Sequence, residues 1–174
     1  MKKIAHFLVI ILSIAGILYL AEHKDDIRQE PKTAPAEDIP EMKEILGTDQ
    51  ETRLKATRKL VERVDVEKAL EILEHSSLPH TGEGHLAVHQ VGFYAYKKYG
   101  LDSILKCKDY FLYACYHGAI IEAASDAGFE QITKMTDKCK ASPVRYFQCV
   151  HAAGHAIMAI WNYDLPKALE TCDN

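Results

Sequence analysis

Three stretches of the sequence decide the fold: GHLAVHQVG at residues 84–92, CYHGAIIEA at 115–123 and CVHAAGHAIM at 149–158. Aligning them superimposes a histidine near the start of each, and these histidines are His85, His117 and His151. Their spacings of 32 and 34 residues fit a unit made of one long and one short helix, which is typical of α-helical repeats. We therefore expect an all-α fold of helical-hairpin repeats, stacked as a short solenoid or toroid-like array.

Helix start and stop signals divide the chain into such units. Thr48 lies three residues before a glutamate, as in a capping box, and Asp65 can cap the helix that follows. Gly100 is a suitable C-terminal stop for a helix that begins near His85. Residues 111–127 are apolar throughout much of their length and predict one long buried helix.

Composition narrows the class of protein. The 174 residues are 48% hydrophobic and 26% charged, which excludes a disordered chain. A net charge of -4 gives no reason to expect nucleic acid as a partner.

The N-terminal segment predicts export. Residues 1–21 place two lysines before an apolar run of 18 residues, which is just long enough for a single-pass transmembrane anchor. A cleaved signal peptide and a buried core helix are the alternatives. Residues 22–40 are charged and contain three prolines, so we expect a flexible tether. The domain at 41–174 would then lie outside the cytoplasmic membrane, periplasmic or extracellular, with the N-terminus inside.

Five cysteines in an exported domain favour disulfides over free thiols. Cys107 and Cys139 each precede a repeat histidine helix, and the repeat pairs Cys107 with Cys115 and Cys139 with Cys149. A bridge between Cys115 and Cys149 is the competing connectivity. Cys172 would begin a third pair, so either the chain is truncated at its C-terminus or this thiol is free or intermolecular.

Five of the nine histidines fall in the aligned helices, and two pairs among them are spaced four residues apart on one helix face. We expect these five to ligate a transition metal: His85, His89, His117, His151 and His155. Imidazole ligands suit Zn, Cu, Ni or Fe without distinguishing among them. One alternative is that each ring makes only a structural hydrogen bond. The other is haem, which would be non-covalent because no CxxCH motif is present.

Two carboxylates are weak candidates for a catalytic base, Glu122 within the apolar helix and Glu83 beside His85. The sequence leaves enzymatic activity undecided. It favours a membrane-anchored extracytoplasmic helical domain that binds a transition metal and is braced by disulfides. The alternative function is a metal-free helical-repeat scaffold that binds an unidentified protein or peptide through a concave face.

Overall fold

The structure is a computed structural model that describes residues 39–141 and 143–172. The chain separates into two units, Met1–Ala34 and Pro35–Asn174, and every described residue belongs to the second. The predicted anchor at 1–21 and most of the predicted tether, residues 22–38, lie outside the described residues. Among the helices that are described, none is both long enough and apolar enough to cross a membrane.

The described residues form eight α-helices and one 3₁₀ helix, with no strand, so the expected all-α class is confirmed. The elements in chain order are α1 (Met42–Ile45), α2 (Gln50–Val64), α3 (Val66–Glu74), α4 (Glu83–Tyr99), the 3₁₀ helix (Gly100–Leu105), α5 (Ala114–Ala127), α6 (Phe129–Cys139), α7 (Pro143–Ile160) and α8 (Leu165–Cys172).

The long helices pack against one another in sequence order. Helix α2 contacts α4, α4 contacts α5, and α5 contacts α7, so the three helices that carry the aligned histidines are consecutive neighbours. Alanines occupy much of their buried surface, including Ala87, Ala119 and Ala152. Because these side chains are small, the helix axes can approach closely, and groups one turn away on facing helices come within contact distance.

The helix ends largely follow the sequence signals. The Asp65 carboxylate accepts a hydrogen bond from the Val66 N–H at 2.7 Å and starts α3 as expected, and Gly100 ends α4. The start of α2 differs by one residue. Its N-cap is Asp49, whose carboxylate accepts from the Thr52 N–H at 2.7 Å, and not Thr48.

The largest correction concerns residues 111–127, which are not one continuous helix. Phe111, Leu112 and Tyr113 have φ values of 50°, 52° and 63°, and α5 begins only at Ala114. Left-handed backbone costs roughly 1–2 kcal/mol per non-glycine residue, so tertiary contacts must hold this turn. Phe111 is 1% exposed, and the Cys107–Cys115 bridge ties the chain just before the turn to α5.

Candidate metal centre

The centre is built where α4 and α5 cross at two glycines. A Cβ atom at Gly92 would overlap backbone atoms of Cys115 and Ala119, and one at Gly118 would overlap the carbonyl group of His89. The two backbones are therefore in direct contact at this crossing. Because Gly118 follows His117 in the chain and faces His89, the crossing brings the imidazoles of α4 and α5 together.

The first group of imidazoles lies at this crossing. The Nε2 atom of His85 is 3.0 Å from Nε2 of His89 and 3.1 Å from Nδ1 of His117. The ligand nitrogens of a tetrahedral ion, each about 2.0–2.1 Å from the metal, are separated by about 3.3 Å. We call these three residues the inner trio, and their nitrogens are spaced as ligands of one ion.

The second group forms where α7 packs on α5. The Nε2 atoms of His151 and His155 lie 3.2 Å apart, and their ring centroids lie 5.2 and 4.8 Å from that of His117. We call His117, His151 and His155 the outer trio, because the rings on α7 are exposed to solvent. In each trio one nitrogen of every ring lies within 4.8 Å of the others, so each could hold a metal ion.

His117 belongs to both trios and is the most buried of the five, with 4% of the residue exposed. Its Nδ1 faces His85, whereas its Nε2 is buried and has no hydrogen-bond partner among the described residues. A buried imidazole nitrogen without a partner is costly in a core, because its hydration is lost without replacement.

His85 is oriented by the left-handed turn before α5. Its Nδ1 lies 2.7 Å from the carbonyl oxygen of Phe111, so Nδ1–H donates to that oxygen. The lone pair of the neutral ring is then on Nε2, the atom that faces His89 and His117. Backbone carbonyls hold metal-ligating histidines in this way, fixing both the tautomer and the ring direction.

Burial keeps these rings neutral. Desolvation, and after it the neighbouring imidazoles, lower the pKa of His89 to about 4 and the pKa of His117 to about 3. Burial also lowers the pKa of His155. Because protonated imidazole has no lone pair to offer, a lowered pKa leaves the ligand form in place at neutral and mildly acidic pH.

The two candidate carboxylates lie in ion pairs elsewhere. Glu122 pairs with Lys97 at 3.0 Å, and Glu83 pairs with Arg53 at 2.6 Å. Neither belongs to the inner or outer trio. A catalytic role for either one stays a prediction.

The expected disulfides are both present, Cys107–Cys115 and Cys139–Cys149. In α5 and in α7, the bridged cysteine lies two residues before the repeat histidine, so each bridge fixes the helix turn that carries a ligand candidate. Cys172 is an exposed free thiol. The bridged sulfurs are not available to a metal, so the donors at this centre are nitrogens.

Arg53 plays the corresponding part at the start of α4, and sequence reasoning missed it. Its buried guanidinium donates to the carbonyl oxygens of Ile45 (2.9 Å) and Gly47 and to the carboxylate of Glu83, two residues before His85. Nothing in the helical pattern of α2 sets this arginine apart. The only hint is the acidic residue at the equivalent of the bridged cysteine positions.

A comparison of the chain with protein-family models, with curated proteins and with solved structures finds no match. The evidence for function is therefore the geometry of the five imidazoles.

Proposed function

We propose that this protein binds a transition metal through His85, His89, His117, His151 and His155. The observation that supports this most strongly is the spacing of the inner trio. Three imidazole nitrogens from two helices lie 3.0 and 3.1 Å from a common atom, close to the separation of about 3.3 Å between ligands of a tetrahedral ion.

Purely structural histidines would satisfy the same rings differently. A neutral imidazole has one donor and one acceptor, and a structural role would give each a protein partner. Here the rings face mainly one another, and the buried Nε2 of His117 lacks a hydrogen-bond partner among the described residues. Metal binding gives these lone pairs a partner, whereas the scaffold alternative leaves them without one.

The donor set favours borderline metals. Neutral imidazoles suit Zn, Cu, Ni and Fe, whereas Mg and Ca prefer oxygen ligands. Neither carboxylate candidate joins a trio, and each is paired with a cation. We therefore propose binding, storage or sensing of the metal as the role, in preference to hydrolysis assisted by Glu83 or Glu122.

We also propose the finer architecture. Helices α4, α5 and α7 would be equivalent members of helical-hairpin repeats, since they are consecutive neighbours and place their histidines 32 and 34 residues apart. The domain would lie outside the cytoplasm, anchored by residues 1–21, because two disulfides are typical of an oxidising compartment.

Metal analysis of the full chain tests the function. The protein is purified in mild detergent without a histidine tag, equilibrated with Zn(II), Cu(II) or Ni(II), desalted and analysed by elemental mass spectrometry. We expect bound metal in the wild type and in His75→Ala, which removes an exposed histidine outside the trios. We expect at least a tenfold weaker affinity in His85→Ala. Equal and negligible metal in all three proteins would overturn the proposal and favour the scaffold.

A further inference from the structure

We infer that the centre holds two metal ions, with the imidazole of His117 bridging them. This inference rests on the metal-binding function proposed above and adds to it the number of ions and the role of one residue. The two trios share only His117, which stands between the pair on α4 and the pair on α7. Each trio supplies three nitrogens, the number of protein ligands that open Zn sites commonly use.

A single ion would need a tighter cluster. Within the described residues, the ligand atoms that lie within 4.8 Å of one another form two groups of three and not one group of five. An ion with nitrogens at about 2.0–2.1 Å cannot reach across both groups without large movement of α7 relative to α4. The arrangement therefore favours one ion in the inner trio and another in the outer trio.

The two nitrogens of His117 differ in a way that fits a bridge. Nδ1 lies 3.1 Å from His85 Nε2, within the inner trio, and Nε2 is buried without a hydrogen-bond partner among the described residues. A neutral imidazole offers one lone pair. It can bind a second ion only when its N–H proton leaves, so one N–H bond breaks, the proton passes to solvent and one metal–nitrogen bond forms.

The bridge sets the separation of the ions. The two ring nitrogens of an imidazole and two metal–nitrogen bonds of about 2.0 Å place the ions roughly 6 Å apart. At that distance two Cu(II) ions joined through one conjugated ring are magnetically coupled, whereas ions held by separate rings behave as independent spins.

Copper titration with electron paramagnetic resonance tests this geometry. The full chain, untagged and in detergent, carries Cys172→Ser in every sample because an exposed thiol reduces Cu(II). Without other changes, we expect two Cu(II) per chain. The integrated signal should rise with the first equivalent and fall to less than half of the bound copper after the second.

Two double variants supply the matched controls. His85→Ala/His89→Ala leaves the outer trio without its α4 neighbours, and His151→Ala/His155→Ala leaves the inner trio without its α7 neighbours. Each should bind one Cu(II) with its full integrated signal. His117→Gln should abolish the coupling.

The outcomes separate this inference from the proposed function. One Cu(II) per chain, or two with a full uncoupled signal, would overturn the bridge while leaving metal binding intact. No copper above the level of nonspecific binding would overturn both. A coupled signal that persists in His117→Gln would assign the coupling to another path and also overturn the bridge.

Discussion

Substitution of Gly118 by alanine should dismantle the inner trio while leaving the helices formed. The new Cβ would overlap the carbonyl group of His89, and a backbone atom of the facing helix cannot rotate away as a side chain can. To reach ordinary contact distance, α4 and α5 must separate by about 1 Å. Overpacking of this kind typically costs about 1–3 kcal/mol of stability.

The same movement should weaken the metal more than it weakens the fold. Metal–nitrogen distances tolerate changes of only about 0.2 Å, so a separation of about 1 Å between the helices removes His117 from the ligand set of His85 and His89. Losing one of three ligands should lower the affinity of the inner trio at least tenfold, about 1.4 kcal/mol.

Gly154→Ala is the matched control. Gly154 lies on α7, and a Cβ there would meet no atom within 4 Å. Alanine should therefore be neutral or stabilise by up to about 1 kcal/mol through helix propensity. Urea unfolding followed by circular dichroism gives the stability of both variants, and competition with a zinc indicator gives their affinity. Equal stability and equal zinc affinity for Gly118→Ala and Gly154→Ala would refute the close crossing.

Three other perturbations test separate parts of the structure. In metal-free protein, the unfolded chain binds protons on His89 and His117 near pH 6.5, whereas the folded pKa values are about 4 and about 3. The stability that neutral burial contributes is therefore complete above about pH 6.5 and should fall by about 1.4 kcal/mol per pH unit per residue as the pH drops, as measured by urea unfolding at pH 7, 6 and 5. Arg53→Met leaves two backbone carbonyls and Glu83 without their donor, so its urea midpoint should reveal a loss of about 2–4 kcal/mol, and an unchanged midpoint would contradict the assigned contacts. Cys149→Ser opens a short loop and should cost about 2–3 kcal/mol in the same assay, with no loss after reduction of the wild type as the contradicting result.

Local signals in the sequence predicted much of this fold. Asp65 starts α3 and Gly100 ends α4 because caps depend on side chains and backbone angles within a few residues. The disulfide pairings were predictable because the cysteines recur with the repeat and each bridge spans ten residues or fewer. The histidine pairs four residues apart were equally local.

The features that bring the rings together depend on contacts distant in sequence. Helical glycines such as Gly92 and Gly118 do not reveal which backbone they will face. The left-handed turn at Tyr113 defeats an apolar run that favours helix, because the Cys107–Cys115 bridge and the buried Phe111 hold a local conformation that is costly alone. The carbonyl that orients a histidine could not be foreseen for the same reason.

The convergence of three helices on one ion is tested most directly by anomalous X-ray diffraction. Crystals of the zinc-loaded, untagged chain would be measured on both sides of the zinc absorption edge. The account predicts a peak in the anomalous difference map about 2 Å from nitrogens of His85, His89 and His117, and a second peak beside His151 and His155. Zinc peaks only at other residues, or imidazoles of the inner trio facing away from one another, would contradict it.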